Sequence, residues 1–223
     1  TVADPSGAPS LAPRPSPNSP QFRQLTPSIH RDVHNYDGIY LPGGDIVFLS
    51  TAPLQGVPCN AGLTVGMMYQ CDGDGRNIRQ LCFDQDHNYN PTVMNDGRVL
   101  YLRWEYTDLP HAFSRILFHM NPDGTEQMEF YGSNSYWPAS MFYARPLPGH
   151  ATRFVAIVGG HHELPRMGDL VLFDTAKGRF EADGVVQRIP GRGRKVEPAM
   201  LDLPIGQTWP KFLHPFPLSE KYF

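Results

Sequence analysis

The sequence predicts an all-β fold, a run of β-propeller blades, and three observations predict it. A phrase of polar loop, aromatic strand, turn and apolar strand recurs at intervals near 50 residues. Each recurrence carries a Gly-containing hairpin turn. The composition joins 23 prolines and 21 glycines to an aromatic content of 12% and a hydrophobic content of 40%. Prolines that frequent remove backbone donors throughout and exclude a helical bundle, whereas short strands separated by turns tolerate them.

Residues 1–20 (TVADPSGAPSLAPRPSPNSP) are rich in Pro, Ser and Ala and hold few large apolar side chains. Such a segment cannot bury enough surface to fold alone, so it reads as a linker or extended arm. The repeat occupies residues 21–223. Its copies start at Phe22 (FRQLTPSIHRDVHNYDGIYLPGGDIVF), at Ile78 (IRQLCFDQDHNYNPTVMNDGRVLY) and at Glu126 (EQMEFYGSNSYWPASMFYARPLPGHATRFVAI), and a fourth begins at Val186 and resumes at Thr208. Arg23 to Arg79 spans 56 residues, Tyr36 to Tyr89 spans 53 and Tyr89 to Tyr136 spans 47. The interval from Trp137 to Trp209 is 72 and implies a long insertion. Periods of about 40 to 50 residues with four strands each mark propeller blades.

Within one period the strands read YNPTVMN, RVLYLRW, RILFHMN and TEQMEFY. Asp74-Gly75, Asp123-Gly124 and Lys177-Gly178 supply one hairpin of each copy, and Pro42-Gly43-Gly44 and Asn95-Asp96-Gly97 supply the other, because these residues tolerate left-handed backbone. The count is about three complete four-stranded blades, with a preceding outer strand at Phe22 to Leu25 and the opening of a fourth blade at Trp209. Rings normally hold about four to eight blades, so the expectation is a partial propeller, part of a larger ring completed by other domains or chains.

The formal net charge is −3, and the short basic cluster Arg188 to Lys195 (RIPGRGRK) is glycine-rich and reads as a solvated loop. No basic stripe of the kind nucleic-acid binding requires is present, so nucleic acid is not an expected partner. No 18 consecutive apolar residues occur, so no transmembrane helix is expected. Cys59, Cys71 and Cys82 form no CxxC or CxxCH; one disulfide and three buried thiols both remain open.

Two nested resemblances follow from particular phrases. Tyr69 to Leu81 (YQCDGDGRNIRQL) resembles the TolB-like and WD40-like repeats of bacterial periplasmic propellers. Longer phrases, QGVPCN (55–60), IRQLCFDQDHNYNPTVMNDGRVLYLRWEYTD (78–108), MNPDGTEQMEFYGSNSYWP (120–138), GHHELPRMGDLVLFD (160–174) and WPKFLHPFPLSEKYF (209–223), make residues 30–223 similar to the hydrazine synthase alpha subunit family. That resemblance implies a periplasmic or extracellular protein. Its namesake makes hydrazine from nitric oxide and ammonium with c-type haems. Covalent haem attachment needs CxxCH, which this chain lacks, so no covalent c-type haem is expected within it.

The candidate site residues come from the repeat. His34-Asn35-Tyr36 and His87-Asn88-Tyr89 occupy the same position in adjacent copies, at the loop entering the innermost strand. Such loops converge on one mouth of a propeller channel. Neutral imidazole ligates metals, and Asp32, Asp37, Asp84 and Asp86 lie close by. His34 and His87 are therefore candidate metal ligands; capping of the neighbouring blade's backbone is the alternative role. His161 and His162, after an apolar strand and two glycines, are further candidate ligands, although adjacent strand residues point to opposite sides. Tyr36, Tyr89 and Trp137 are candidate ligand-stacking residues, with packing between blades as their alternative. No GxSxG, P-loop or HExxH motif is present. The leading expectation is a propeller module acting as a scaffold or recognition domain in a larger exported protein. The alternatives are a redox enzyme subunit with a metal or haem at the channel mouth, and a protein- or glycan-binding propeller.

Overall fold

A computed structural model describes residues 22–27, 29–58, 60–106, 114–132, 135–160, 166–189 and 209–223. These residues form 14 strands and no helix, arranged in three four-stranded antiparallel units that follow the chain order. Unit one pairs β1 (Asn35–Tyr40), β2 (Ile46–Ser50), β5 (Met67–Cys71) and β6 (Arg79–Gln80), with a small hairpin of β3 (Gly56–Val57) and β4 (Asn60–Thr64) inserted before β5. Unit two is β7 (Asn88–Val93), β8 (Val99–Glu105), β9 (Ser114–Met120) and β10 (Met128–Tyr131). Unit three is β11 (Ser140–Pro146), β12 (Arg153–Gly159), β13 (Asp169–Asp174) and β14 (Val185–Ile189). Units two and three join into one eight-stranded sheet through a single parallel pair, Ser140 with Arg115. Among the described residues no strand pairing joins unit three back to unit one.

The turns follow the predicted chemistry. Gly44 and Gly97 take φ of +94° and +87° in the first hairpins of units one and two, where Leu41 closes on Asp45 and Met94 on Arg98. An L side chain rarely adopts that geometry, which is why glycine stands there. The first strand of every unit is bulged at one place: Asp37, Asn90 and Tyr143 have φ of 54°, 47° and 52°, and the pairing to the second strand slips around each. These bulges fix the repeat at 53 residues in both intervals. The expected 47-residue match of Tyr89 to Tyr136 is therefore replaced. Tyr89 corresponds to Phe142, and Ser140 stands where units one and two have His34 and His87.

The cores lie between units. Successive strand residues point to opposite faces, and β8 uses both. Val99 and Tyr101 join Val47, Leu49, Met67 and Met68 of unit one, while Leu100 and Leu102 join Phe142, Phe154 and Phe173 of unit three. β9 divides likewise, with Ile116, Phe118 and Met120 on one side and Leu117 on the other. A strand buried on both faces needs the near-continuous apolar run seen in VLYLRW. Among the described residues the other face of unit one carries a small buried cluster, Ile46, Phe48 and Cys71, packed by Leu25 and Tyr69.

Both flanking strands differ from expectation. Phe22 to Leu25 is not a strand, although Leu25 occupies the place against Gly75 that Leu81 occupies against Gly124. Residues 209–223 hold one bridge, Phe212 with Gly168, rather than a fourth-unit strand. Of the long interval between Trp137 and Trp209, residues 161–165 and 190–208 lie outside the described residues. Cys71 and Cys82 are buried free thiols, and burial pushes Cys82 up to about 12; Cys59 lies outside the described residues.

Candidate functional site at the inner-strand entries

β7 and β11, the first strands of units two and three, are each entered from a segment that docks on the third strand of the preceding unit, and the segment at Phe212 docks likewise on unit three. Asn88 N–H donates to the Gly66 carbonyl (3.0 Å), Arg115 N–H to the Ala139 carbonyl (2.8 Å) and Gly168 N–H to the Phe212 carbonyl (3.1 Å). His87 stands in the first of these junctions. Its Nδ1 accepts the Gly66 N–H at 2.9 Å, and its carbonyl accepts the Trp104 N–H at 3.0 Å. The ring lies nearly parallel to Trp104 (6.5 Å, 11°) and beside Tyr89 (5.1 Å). Burial, then the charges of Arg115 and Arg166, press its pKa down to about 4. His87 is thus neutral at pH 7. Because Gly66 N–H can only donate, the ring proton sits on Nε2.

Gly66 is required by the same junction. The Tyr36 hydroxyl lies where a Cβ at position 66 would stand, with His87 Nδ1 3.7 Å from that point. Unit two carries Arg115 at the corresponding position. Its buried guanidinium sits 5.0 Å from the Trp104 ring centre and donates to Tyr89. Burial, the neighbouring Tyr89 and the Asp37 carboxylate raise the Tyr36 phenol, and burial raises that of Tyr89.

A second polar line crosses the inner strands at their bulges. Asp37 Oδ2 accepts both the backbone N–H (2.9 Å) and the side-chain amide (3.3 Å) of Asn90, and Asn90 Oδ1 accepts the Tyr143 N–H (3.3 Å). Side chain to next-unit backbone, repeated twice, ties β1 to β7 and β7 to β11. Beside His87, Asp86 is 2% exposed; Oδ2 accepts the Tyr106 N–H (3.2 Å), while Oδ1 has no partner among the described residues. Burial pushes Asp86 up to about 6 against the opposing Tyr106 bond and Arg115 charge, with Glu105 and Asp84 adding to the rise. Asp84 itself holds Arg103 (3.1 Å) and Asn88 Nδ2 (2.9 Å).

The candidate residues therefore separate. His34 is exposed; its backbone N–H donates to Thr51 Oγ1 (2.9 Å) and its carbonyl accepts the Thr51 N–H (3.0 Å). Tyr36, Tyr89 and His87 come together at the first junction. Trp137 is 7% exposed and packs on Phe173 (6.1 Å) under Arg188 (4.9 Å), within the core shared by units two and three. His161 and His162 lie outside the described residues. Among the described residues no three His, Cys, Asp or Glu side chains gather to hold a metal ion. Sequence reading missed Arg115 and the Asp37–Asn90 line. The signal for the latter was the shared 53-residue offset of two short polar residues, next to the histidine pair.

No protein-family model matches the chain, and no curated protein matches it. Among solved structures the chain is similar to Kuenenia stuttgartiensis hydrazine synthase, with a TM-score of 0.48, 14% identity, and coverage of 61% of this chain and 21% of that one. It is also similar to the tricorn protease, with a TM-score of 0.42, 13% identity, and coverage of 72% and 13%. The chain thus spans 21% of the first and 13% of the second.

Proposed function

We propose that this chain is a propeller module of an exported protein of the hydrazine synthase alpha subunit-like kind, working as a scaffold or recognition domain. One observation carries the reading: the polar groups at the inner-strand entries are spent on joining units. The imidazole of His87 accepts from the backbone of unit one, and Asp37 and Asn90 accept from the backbone of the next unit. A metal ligand needs its coordinating lone pair open, and His87 Nδ1 is occupied. The exposed β1 is where a further propeller unit, from the rest of a longer protein or from a partner chain, would seat.

The test is metal analysis with an absorption spectrum on protein from a native-like host, alongside thermal unfolding, for wild type and His34→Ala/His87→Ala. The scaffold reading expects no stoichiometric metal or haem in either protein and a lower midpoint in the variant. About one metal or haem per chain, lost in the variant, would overturn it and favour a cofactor site built on His34 and His87, with His161 or His162 as added ligands.

A further inference from the structure

The repeat departs from itself at the far end of the strands from His87. The first hairpin has three residues between its closing pair in unit one (Leu41 and Asp45) and in unit two (Met94 and Arg98). In unit three Leu147 closes on Arg153 with five between. The longer loop is braced on both sides. Asn95 Nδ2 donates to the carbonyls of Leu147 and His150, each at 2.7 Å, and His150 Nε2 meets Glu220 at 2.8 Å.

Beneath the braced loop, between units two and three, lies a cavity of about 310 Å³. This is within the range of small-molecule sites, about 300 to 1,000 Å³. Met94, Leu100, Phe130 and Phe154 line it with apolar surface, the two rings edge to face at 5.4 Å. Asp96 and Arg153 are its charged residues. Arg153 is already neutralised, by Asp174 (3.1 Å) and Glu220 (3.7 Å). Asp96 accepts only the Arg98 backbone N–H (3.1 Å), while the Arg98 guanidinium turns to Glu126 (3.3 Å). Among the described residues no cation pairs with Asp96, an exposed residue at the rim of the cavity, so its carboxylate is open to an incoming cation, while the Arg179 guanidinium lies 5.7 Å from the Phe130 ring centre.

We propose that this cavity is a binding site for a small organic ammonium, an apolar or aromatic body carrying one protonated amine. The body fills the apolar space against Met94, Leu100 and the two rings, and the cation sits against Asp96. An anion is disfavoured because the one lining guanidinium is shared by two carboxylates. The site is independent of the inner-strand entries.

Amide NMR titration of the full chain tests the proposal with three probes of one shape: 2-phenylethylammonium, neutral 2-phenylethanol and anionic phenylacetate. The ammonium should give saturable shifts at Asn95, Gly149 and Ala151 and bind about fivefold tighter than the alcohol, the upper end for one partly exposed charge pair. Asp96→Asn should make ammonium and alcohol equal, Asp96→Lys should move the preference to phenylacetate, and Ala151→Trp should abolish the shifts by filling the cavity. Absence of saturable shifts overturns the proposal. So does an ammonium preference that survives Asp96→Asn.

Discussion

His34 and His87 begin the same His-Asn-Tyr phrase and meet different surroundings. β1, which follows His34, is exposed along nearly its whole length, while β7, which follows His87, has three of its six residues buried. The difference is the neighbour. Unit one lies beside β7 and supplies the Gly66 N–H; among the described residues no sheet lies on that side of β1. A residue's role in this molecule is therefore set by its junction and not by its phrase.

That comparison is broken most severely by removing a large side chain that faces the preceding unit. Tyr101 and Phe48 occupy equivalent positions, 53 residues apart, but Tyr101 is packed in a fifteen-residue core and Phe48 in a three-residue cluster. Tyr101→Ala should cost about 3 to 5 kcal/mol in denaturant unfolding, and Phe48→Ala about half of that or less, because fewer contacts are lost. Equal costs would show that the outer face of unit one is as well covered as the junction.

The next effect is at the histidines. His87→Ala leaves Gly66 N–H without its acceptor and should cost about 1 to 3 kcal/mol. His34→Ala should change stability by no more than about 0.5 kcal/mol. Both are read from thermal or denaturant midpoints, and a large effect of His34→Ala would contradict the role assigned here.

Asn90→Ala places an L side chain lacking the amide at positive φ and cuts the line from Asp37 to Tyr143. A loss of about 1 to 2 kcal/mol is expected, with Asn90→Gly recovering the conformational part. Full recovery by glycine would mean that the hydrogen bonds contribute nothing.

The smallest effect is in pH, where two neighbours oppose each other. The folded pKa of His87 (about 4) lies below its unfolded value near 6.5, so the unfolded chain binds more protons between these values and stability falls as pH drops from about 6.5 to 4. The folded pKa of Asp86 (about 6) lies above its unfolded value near 3.9, so stability rises as pH drops through that window. Relative to wild type, His87→Gln should gain stability on acidification from pH 7 to 4.5, and Asp86→Asn should lose it. Parallel curves for all three would show that neither group is shifted.

The sheets were legible because their signals are local. Apolar runs such as VLYLRW and turn residues such as Asn95-Asp96-Gly97 specify strand and hairpin from within a few positions. Register in the third unit was not, because the aromatic pair Tyr136-Trp137 matches Tyr89 by residue type. What fixes register is the bulge, and its occupants, Asp37, Asn90 and Tyr143, share a backbone angle and little side-chain chemistry. The histidine candidates were half legible. Their repeat position could be read, but the partner of His87 is the backbone of Gly66, 21 residues earlier, and what glycine makes room for there is the Tyr36 hydroxyl. Asp86 owes its raised pKa first to burial, which the polar run around it does not reveal.

The two faces of β8 have a consequence for how such a molecule grows or shrinks. The stretch that repeats in sequence is one sheet, but the cooperative body is the space between two sheets, so the genetic period and the folding period are out of phase by half a step. Cutting between two units breaks at most the single parallel pair of Ser140 with Arg115 and yet destroys a core. Adding a unit creates one core at its seam, whatever the unit's own sequence prefers, and stability accumulates by seams as in a one-dimensional array.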